Sequence, residues 1–169
     1  MARGDISIIE LKNVSTREFV REDRTTSSAT ATVKIGEPIK QSADGANDSI
    51  LLATGDPEIG TDLFQGIASG ESTETSTVDG IVNAWVPFAG ITVMQAKATT
   101  PANIDTAAER LAILNDCVAF DLTDGVFTID EDEGNDNNVH GLVIVDVNIE
   151  HGTVDFVVKS QATAWGAAL

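Results

Sequence analysis

The feature that most constrains this chain is a series of short apolar runs separated by turns, which begins near residue 32. Runs such as 32–35, 80–87 and 90–96 lie between segments rich in Gly, Pro, Asp and Ser. Runs of this length are typical of strands, whereas helices need longer periodic segments. We therefore predict a mainly β fold, an antiparallel β-barrel or sandwich.

Two parts of the pattern assign side chains to faces. The 80–87 run alternates, with Ile81, Asn83 and Trp85 on one face and Val82, Ala84 and Val86 on the other. Near the C-terminal end, residues 139–149 and 153–159 are two strands joined by a polar turn that ends in Gly152, a hairpin signal. Alternation in this hairpin sets Leu142, Ile144, Asp146 and Asn148 against Val143, Val145, Val147 and Ile149.

One short α-helix is predicted between these strands. Thr106 and Glu109 have the spacing of a capping box, in which the hydroxyl accepts from the third amide and the carboxylate reaches back. Leu111 and Leu114 share one face with Ala107, and residues 115–116 can end the helix.

The net charge of −17 excludes several classes of partner. Nucleic acids and anionic membranes both require a basic surface, so we predict neither as a partner. The charge is also uneven, because residues 1–40 hold seven basic and six acidic side chains, whereas residues 41–169 hold three and 21. The acidic body and the near-neutral front are therefore expected to face different environments.

The front of the chain has too few apolar residues to fold alone. We predict that residues 1–32 form an extended N-terminal arm and that residues 33–169 form a single β-rich domain. The alternative is a mobile terminus without a role. As an added strand on a neighbouring subunit, the arm would use its apolar side chains for partner binding, namely Ile6, Ile8, Ile9, Leu11, Val14, Phe19 and Val20.

The last eight residues are small and apolar around Trp165. A monomer would leave this segment and the arm in water. We therefore predict a homo-oligomer, a trimer, with Trp165 as an oligomer contact.

Catalytic and metal-binding patterns are absent from the sequence. Cys117 lies in an apolar stretch and is expected to be a buried, inert thiol, while the two histidines are not spaced as a metal pair. The acidic loop at Asp130, Asp132 and Asp136 suits calcium in composition, but Gly134 stands at the fifth loop position where an EF-hand requires the sixth. We predict no enzyme, no metal and no cofactor.

Residues 55–60, 63–68, 78–87 and 93–99 follow one another in a distinctive order: a Gly-Asp-Pro segment, a Gly-Ile-Ala strand, a polar Ser/Thr/Glu loop and an alternating strand that ends at Pro87. This order resembles tailed-phage head decoration (cement) proteins and related small virion proteins. The helix at 106–114 and the C-terminal hairpin have no counterpart in that resemblance.

The resemblance implies a small, β-rich, cofactor-free protein that binds the major capsid protein on the capsid exterior and stabilises the shell. It also implies a trimer with an N-terminal arm along the shell. The charged start and the lack of any apolar run of membrane-spanning length lead us to expect a soluble product made in the host cytoplasm.

Two alternatives remain open at the level of sequence. A β-sandwich binding module for carbohydrate or a cell surface, for example on a fibre, would need exposed aromatic residues, yet the chain has no Tyr and only Trp85 and Trp165. A generic β-domain adapted to high salt would also account for the acidic composition.

Overall fold

The computed structural model describes residues 6–8, 14–21, 32–41, 49–51, 55, 57–73 and 80–164. These residues form thirteen strands and one α-helix: β1 (Ser7–Ile8), β2 (Val14–Arg21), β3 (Thr32–Val33), β4 (Pro38–Gln41), β5 (Ser49–Leu51), β6 (Phe64–Ala68), β7 (Ser72–Thr73), β8 (Gly80–Pro87), β9 (Met94–Lys97), α1 (Ala107–Ile113), β10 (Cys117–Thr123), β11 (Val126–Asp130), β12 (Leu142–Asn148) and β13 (Thr153–Val158). Two short 3₁₀-helices, Pro101–Ile104 and Ser160–Ala162, complete the order.

Six strands form an antiparallel sheet in the order β1-β9-β13-β12-β10-β11. This sheet curls until its ends nearly meet, because Ala98 and Ile129 form a parallel bridge and the Thr99 N–H donates to Ile129 O at 2.9 Å. We call this sheet the barrel, and we call the contact of residues 98–100 with residues 128–131 the seam. The predicted mainly β, antiparallel fold with one short helix is confirmed.

A five-stranded sheet, in the order β2-β8-β6-β4-β5, lies against the barrel, and β3 pairs with β7 as a separate ribbon. The close approach of β6 to β8 explains why glycine occupies position 66. A Cβ on Gly66 would lie 2.6 Å from the Trp85 carbonyl oxygen, so any larger residue would force the two strands apart.

Aromatic rings fill the barrel and join the two sheets. Phe120 packs edge-to-face against Phe156 and Phe127, at centroid distances of 5.5 and 6.2 Å. Phe64 and Ile67 of β6 belong to the same buried cluster, with the Phe64 ring 6.4 Å from Phe120. The two sheets therefore share one core, to which aromatic packing contributes beyond simple burial.

A second, smaller cluster lies on the opposite face of the five-stranded sheet. It contains only aliphatic side chains, namely Val33, Ile39, Ala68, Val82, Ala84 and Val86. The alternation predicted for β8 is confirmed, because Val82, Ala84 and Val86 are buried here while Ile81 and Asn83 are exposed.

The capping box is confirmed at the start of α1. The Glu109 N–H donates to Thr106 Oγ1, and the Thr106 N–H donates to a Glu109 carboxylate oxygen at 3.0 Å. The predicted buried face is wrong at Leu111, which is 71 % exposed. The helix contacts the barrel core at its end instead, through Ile113 and Leu114.

The C-terminal hairpin is confirmed, with a correction to its faces. Leu142 and Ile144 are buried as predicted, but the register shifts between Ile144 and Asp146. This bulge resets the alternation, so Val147 enters the core while Val145 and Asp146 are exposed. Gly152 closes the turn with a φ of 60°, where glycine carries no steric penalty.

The predicted free arm is corrected where the structure describes it. β1 pairs with β9 of the same chain, and β2 pairs with β8 along all eight of its residues. The backbone of β8 supplies the hydrogen-bond partners that the segment lacks alone, which offsets the entropy of ordering it. The described parts of residues 1–32 are therefore edge strands of the two sheets.

Within the described part of the chain, α1 is far shorter than the bilayer thickness, and no helix is long and apolar enough to cross a membrane.

Candidate interaction surfaces

The predicted partner-binding residues do not form one surface. Ile6 is buried in the barrel core, and Ile8 pairs with Met94 at the edge of the barrel. Val14, Phe19 and Val20 belong to β2, in the other sheet. Burial of Ile6 removes it from any contact with a partner.

Three of the predicted contacts lie outside the described residues. These are Ile9 and Leu11, in the segment between β1 and β2, and the predicted oligomer contact Trp165. Their roles stay predictions.

The two large sheets differ in charge. The strands of the five-stranded sheet carry three basic residues, Arg17, Arg21 and Lys40, against Glu18 alone. The barrel strands carry four acidic residues, Asp121, Asp130, Asp146 and Asp155, against Lys97 alone. The acidic loop after β11 adds further negative charge to the barrel half. The excess negative charge of the described strands is thus concentrated in the barrel half.

A polar cleft of about 370 Å³ lies between α1 and the β12–β13 hairpin. Arg110 of α1 donates from Nε and Nη2 to Asp146 Oδ1, at 3.1 and 2.6 Å. Asp155 lies opposite Asp146 across the two strands and accepts from Gln95 Nε2 at 2.7 Å. The Arg110 guanidinium therefore binds the Asp146 carboxylate, and the Gln95 amide binds the Asp155 carboxylate. Each acid of this like-charged pair thus has its own donor.

Two donors stabilise the ionised form of Asp146. The Val147 N–H and then the Arg110 guanidinium lower the pKa of Asp146 from its usual value. Both side chains of the ion pair are substantially exposed, so the pair contributes only about 0.2–1 kcal/mol to stability. The lining of the cleft combines these hydrogen-bonding groups with the apolar side chains of Val147 and Ile149.

Glu131 bridges the barrel seam. Its side chain is almost buried, and its two carboxylate oxygens accept from the N–H groups of Thr99 and Thr100, each at 2.9 Å. Thr99 Oγ1 also lies 2.6 Å from Thr128 Oγ1. Burial raises the pKa of Glu131, although the backbone donors act in the opposite direction.

The acidic loop is tied to the barrel by its asparagines. Asn135 Oδ1 accepts from the Cys117 N–H at 2.9 Å, and Asn137 accepts from Lys159 Nζ. Asp136 accepts from the Asn138 N–H in a local turn. Among the described residues, no three His, Cys, Asp or Glu side chains converge as metal ligands.

His140 lies where this loop returns to the barrel. It is buried, and Nε2 is 4.0 Å from Glu133 Oε1. Its Nδ1 has no hydrogen-bond partner within the described part of the chain.

Two bulky apolar side chains are exposed to solvent on the turn between β8 and β9. Phe88 is 53 % exposed and Ile91 is 60 % exposed. The turn is fixed, because Phe88 O accepts from the N–H groups of Ile91 and Thr92, and Thr92 Oγ1 accepts from the Phe88 N–H.

Sequence reasoning missed the cleft, the seam and this turn as sites. Arg110 and Asp146 are distant in sequence, and only the fold brings them together. Glu131 lies in a run of acidic residues whose composition predicts a solvent-exposed loop. The turn did carry a signal, since two large apolar residues flank Ala89 and Gly90 in a loop.

Comparison of the chain with protein-family models, with curated proteins and with solved structures found no match.

Proposed function

We propose that this protein is a structural virion protein that binds the outer surface of a phage capsid and stabilises the shell. Its partner in this proposal is the major capsid protein, and its place is the capsid exterior after synthesis in the host cytoplasm. The proposal involves no catalysis, no cofactor, no nucleic acid and no membrane.

The charge difference between the two sheets carries this proposal. A protein with a net charge of −17 meets repulsion wherever it approaches an acidic surface. Repulsion is expected to be least on the five-stranded side, where the strands hold Arg17 and Arg21 against Glu18, and Lys40 is paired with Asp62 at 2.5 Å. In the proposed arrangement this side faces the shell, and the acidic barrel faces water.

The exposed strand residue Ile81 offers an apolar contact on the five-stranded sheet. Ile81 is 54 % exposed on β8, on the face whose Trp85 packs against the barrel core, so it lies where the barrel does not cover that face. The strands that carry the resemblance to decoration proteins, β6 and β8, are neighbours in that sheet. An apolar side chain at such a position can be buried against a partner, which contributes about 25 cal/mol for each Å² removed from water.

The test is a pelleting assay with shells assembled from the major capsid protein encoded beside this gene. Wild-type protein is expected to sediment with shells and to saturate at a fixed number of copies per shell. Ile81→Asp is expected to weaken binding about tenfold or more, since a buried, unpaired carboxylate is costly.

Val145→Asp provides the matched control. Val145 is also an exposed strand residue, at 41 %, but it belongs to the barrel. Its substitution should leave shell binding within about twofold of wild type. If Val145→Asp abolishes binding and Ile81→Asp does not, the orientation is wrong while the function stands. If wild-type protein does not sediment with the shells, or if no capsid gene lies beside this gene, the proposed function is wrong.

A carbohydrate-binding module is the second candidate, and the polar cleft is the observation that favours it. Arg110, Asp146, Asn148 and Asp155 are side chains that hydrogen-bond to sugar hydroxyls. The seven residues that line the cleft include no aromatic side chain on which a sugar ring could stack. Binding of the isolated protein to a glycan array, lost in Asp155→Ala, would favour this candidate over the first.

A further inference from the structure

We propose that the turn between β8 and β9 is a self-association surface that docks against a second copy of this chain. The surface consists of Phe88 and Ile91, on a turn that hydrogen-bonds to Val158. This inference does not depend on shell binding, because it concerns the protein in solution.

The first argument is the way in which the turn presents its side chains. Thr92 is buried and fixes the backbone through its hydroxyl, while the Gly90 N–H donates to Val158 O at 2.8 Å. Gly90 adopts a φ of 71°, which a residue with a Cβ rarely adopts. Phe88 and Ile91 are thus held in place before any partner arrives, so binding costs little backbone entropy.

The second argument is the charge around the turn. The chain has 27 acidic residues, yet none lies between Asp79 and Asp105. The carbonyl oxygen of Val158 accepts from the turn, and residues 158–164 also contain no acidic side chain. The residues that follow Ala164, from Trp165 to Leu169, carry no acidic side chain either.

This charge pattern favours a second copy of the chain as the partner of the surface. Each copy carries −17, so two copies repel one another over most orientations. Contact through the turn at residues 88–92 brings fewer carboxylates together than contact through residues 95–103, which hydrogen-bond to Asp155, Glu131 and Asp132. Around a symmetry axis the same turn of each copy meets its equivalents, so that the Phe88 and Ile91 side chains form one apolar centre.

The dependence on salt distinguishes this partner from a basic one. Screening weakens the attraction between opposite charges but also weakens the repulsion between like charges. Self-association should therefore become tighter as salt is raised, whereas binding to a basic protein would become weaker.

Sedimentation velocity of the full chain over a range of concentrations, at low and at high salt, tests the proposal. Wild type should form a discrete oligomer, with the dissociation constant falling as salt rises. The double variant Phe88→Ser, Ile91→Ser should raise that constant at least tenfold. Leu111→Ser, at a residue that is 71 % exposed on α1, should leave it unchanged.

A cysteine variant keeps the test decisive if the double variant fails to fold by circular dichroism. The natural thiol, Cys117, is buried, so Ile91→Cys would be the accessible thiol and should form disulfide-linked dimers under mild oxidation, whereas Leu111→Cys should not. The proposal is overturned if wild type stays monomeric at every concentration and salt, if salt weakens the oligomer, or if the position 111 variants change association and the turn variants do not.

Discussion

The barrel and the five-stranded sheet bury their apolar residues by different means. The barrel encloses a wide interior, which Phe120, Phe127 and Phe156 fill with rings in contact. The second cluster, on the five-stranded sheet, contains aliphatic side chains only. Large rings suit an enclosed volume, while small side chains suit a sheet whose other face rests on the barrel.

The difference indicates which half stabilises the other. Phe64 and Ile67 of the five-stranded sheet belong to the barrel core, and Trp85 packs against it. No barrel strand among the described elements contributes a residue to the second cluster. The five-stranded sheet thus depends on the barrel for part of its burial. The barrel combines the main core with the acidic exterior.

The largest expected effect comes from the core that the two sheets share. Phe120→Ala should lower the free energy of unfolding by about 3–5 kcal/mol, because Phe120 is fully buried and contacts three other rings. Val82→Ala, in the second cluster, removes only two methyl groups and should cost about 1–2.5 kcal/mol. Urea unfolding of both variants measures the difference. Equal costs would contradict the idea that the barrel supplies most of the stability.

Removal of residues 1–32 is expected to have the next largest effect. The deletion takes away β1 and β2, and with them the eight-residue pairing to β8 and the buried Ile6. The melting temperature should fall by about 5 °C or more, which corresponds to about 2 kcal/mol for a chain of this size. A deletion protein that melts like wild type would restore the view of a free arm.

Sequence patterns predicted the elements whose cause is local. The alternation of β8, the capping box of α1 and the Gly152 turn all depend on neighbouring residues, and all three are confirmed. The polar β2 segment was not recognised as a strand of this domain, because an edge strand takes its hydrogen bonds from a neighbour and needs few apolar residues.

The interaction surfaces depend on causes that are not local. The bulge after Ile144 moves Asp146 outward, and only then does Asp146 reach Arg110 of α1. Glu131 stands among Asp130, Asp132 and Glu133, and composition cannot separate the carboxylate that enters the seam from the others.

The smallest expected effect concerns the seam, a feature that the barrel has and the five-stranded sheet lacks. In Glu131→Gln the amide has one oxygen acceptor for the two N–H groups of Thr99 and Thr100. The Thr99 N–H keeps its bond to Ile129 O, so the substitution removes one hydrogen bond to the side chain and costs about 1 kcal/mol. Urea unfolding should show this loss, while Glu133→Gln, two residues along the same loop and more exposed, should stay within about 0.5 kcal/mol of wild type.

The pH dependence of this cost has a defined sign. Burial raises the pKa of Glu131 in the folded protein above its value in the unfolded chain, so folding favours the protonated carboxyl. The stability that this group contributes is complete below its unfolded pKa, near 4.3 in model peptides, and declines as pH rises through the folded pKa. Glutamine does not titrate, so Glu131→Gln should cost more at about pH 4 than at about pH 7. A cost that grows with rising pH would mean that the two N–H donors outweigh burial, and that the ionised carboxylate itself holds the seam closed.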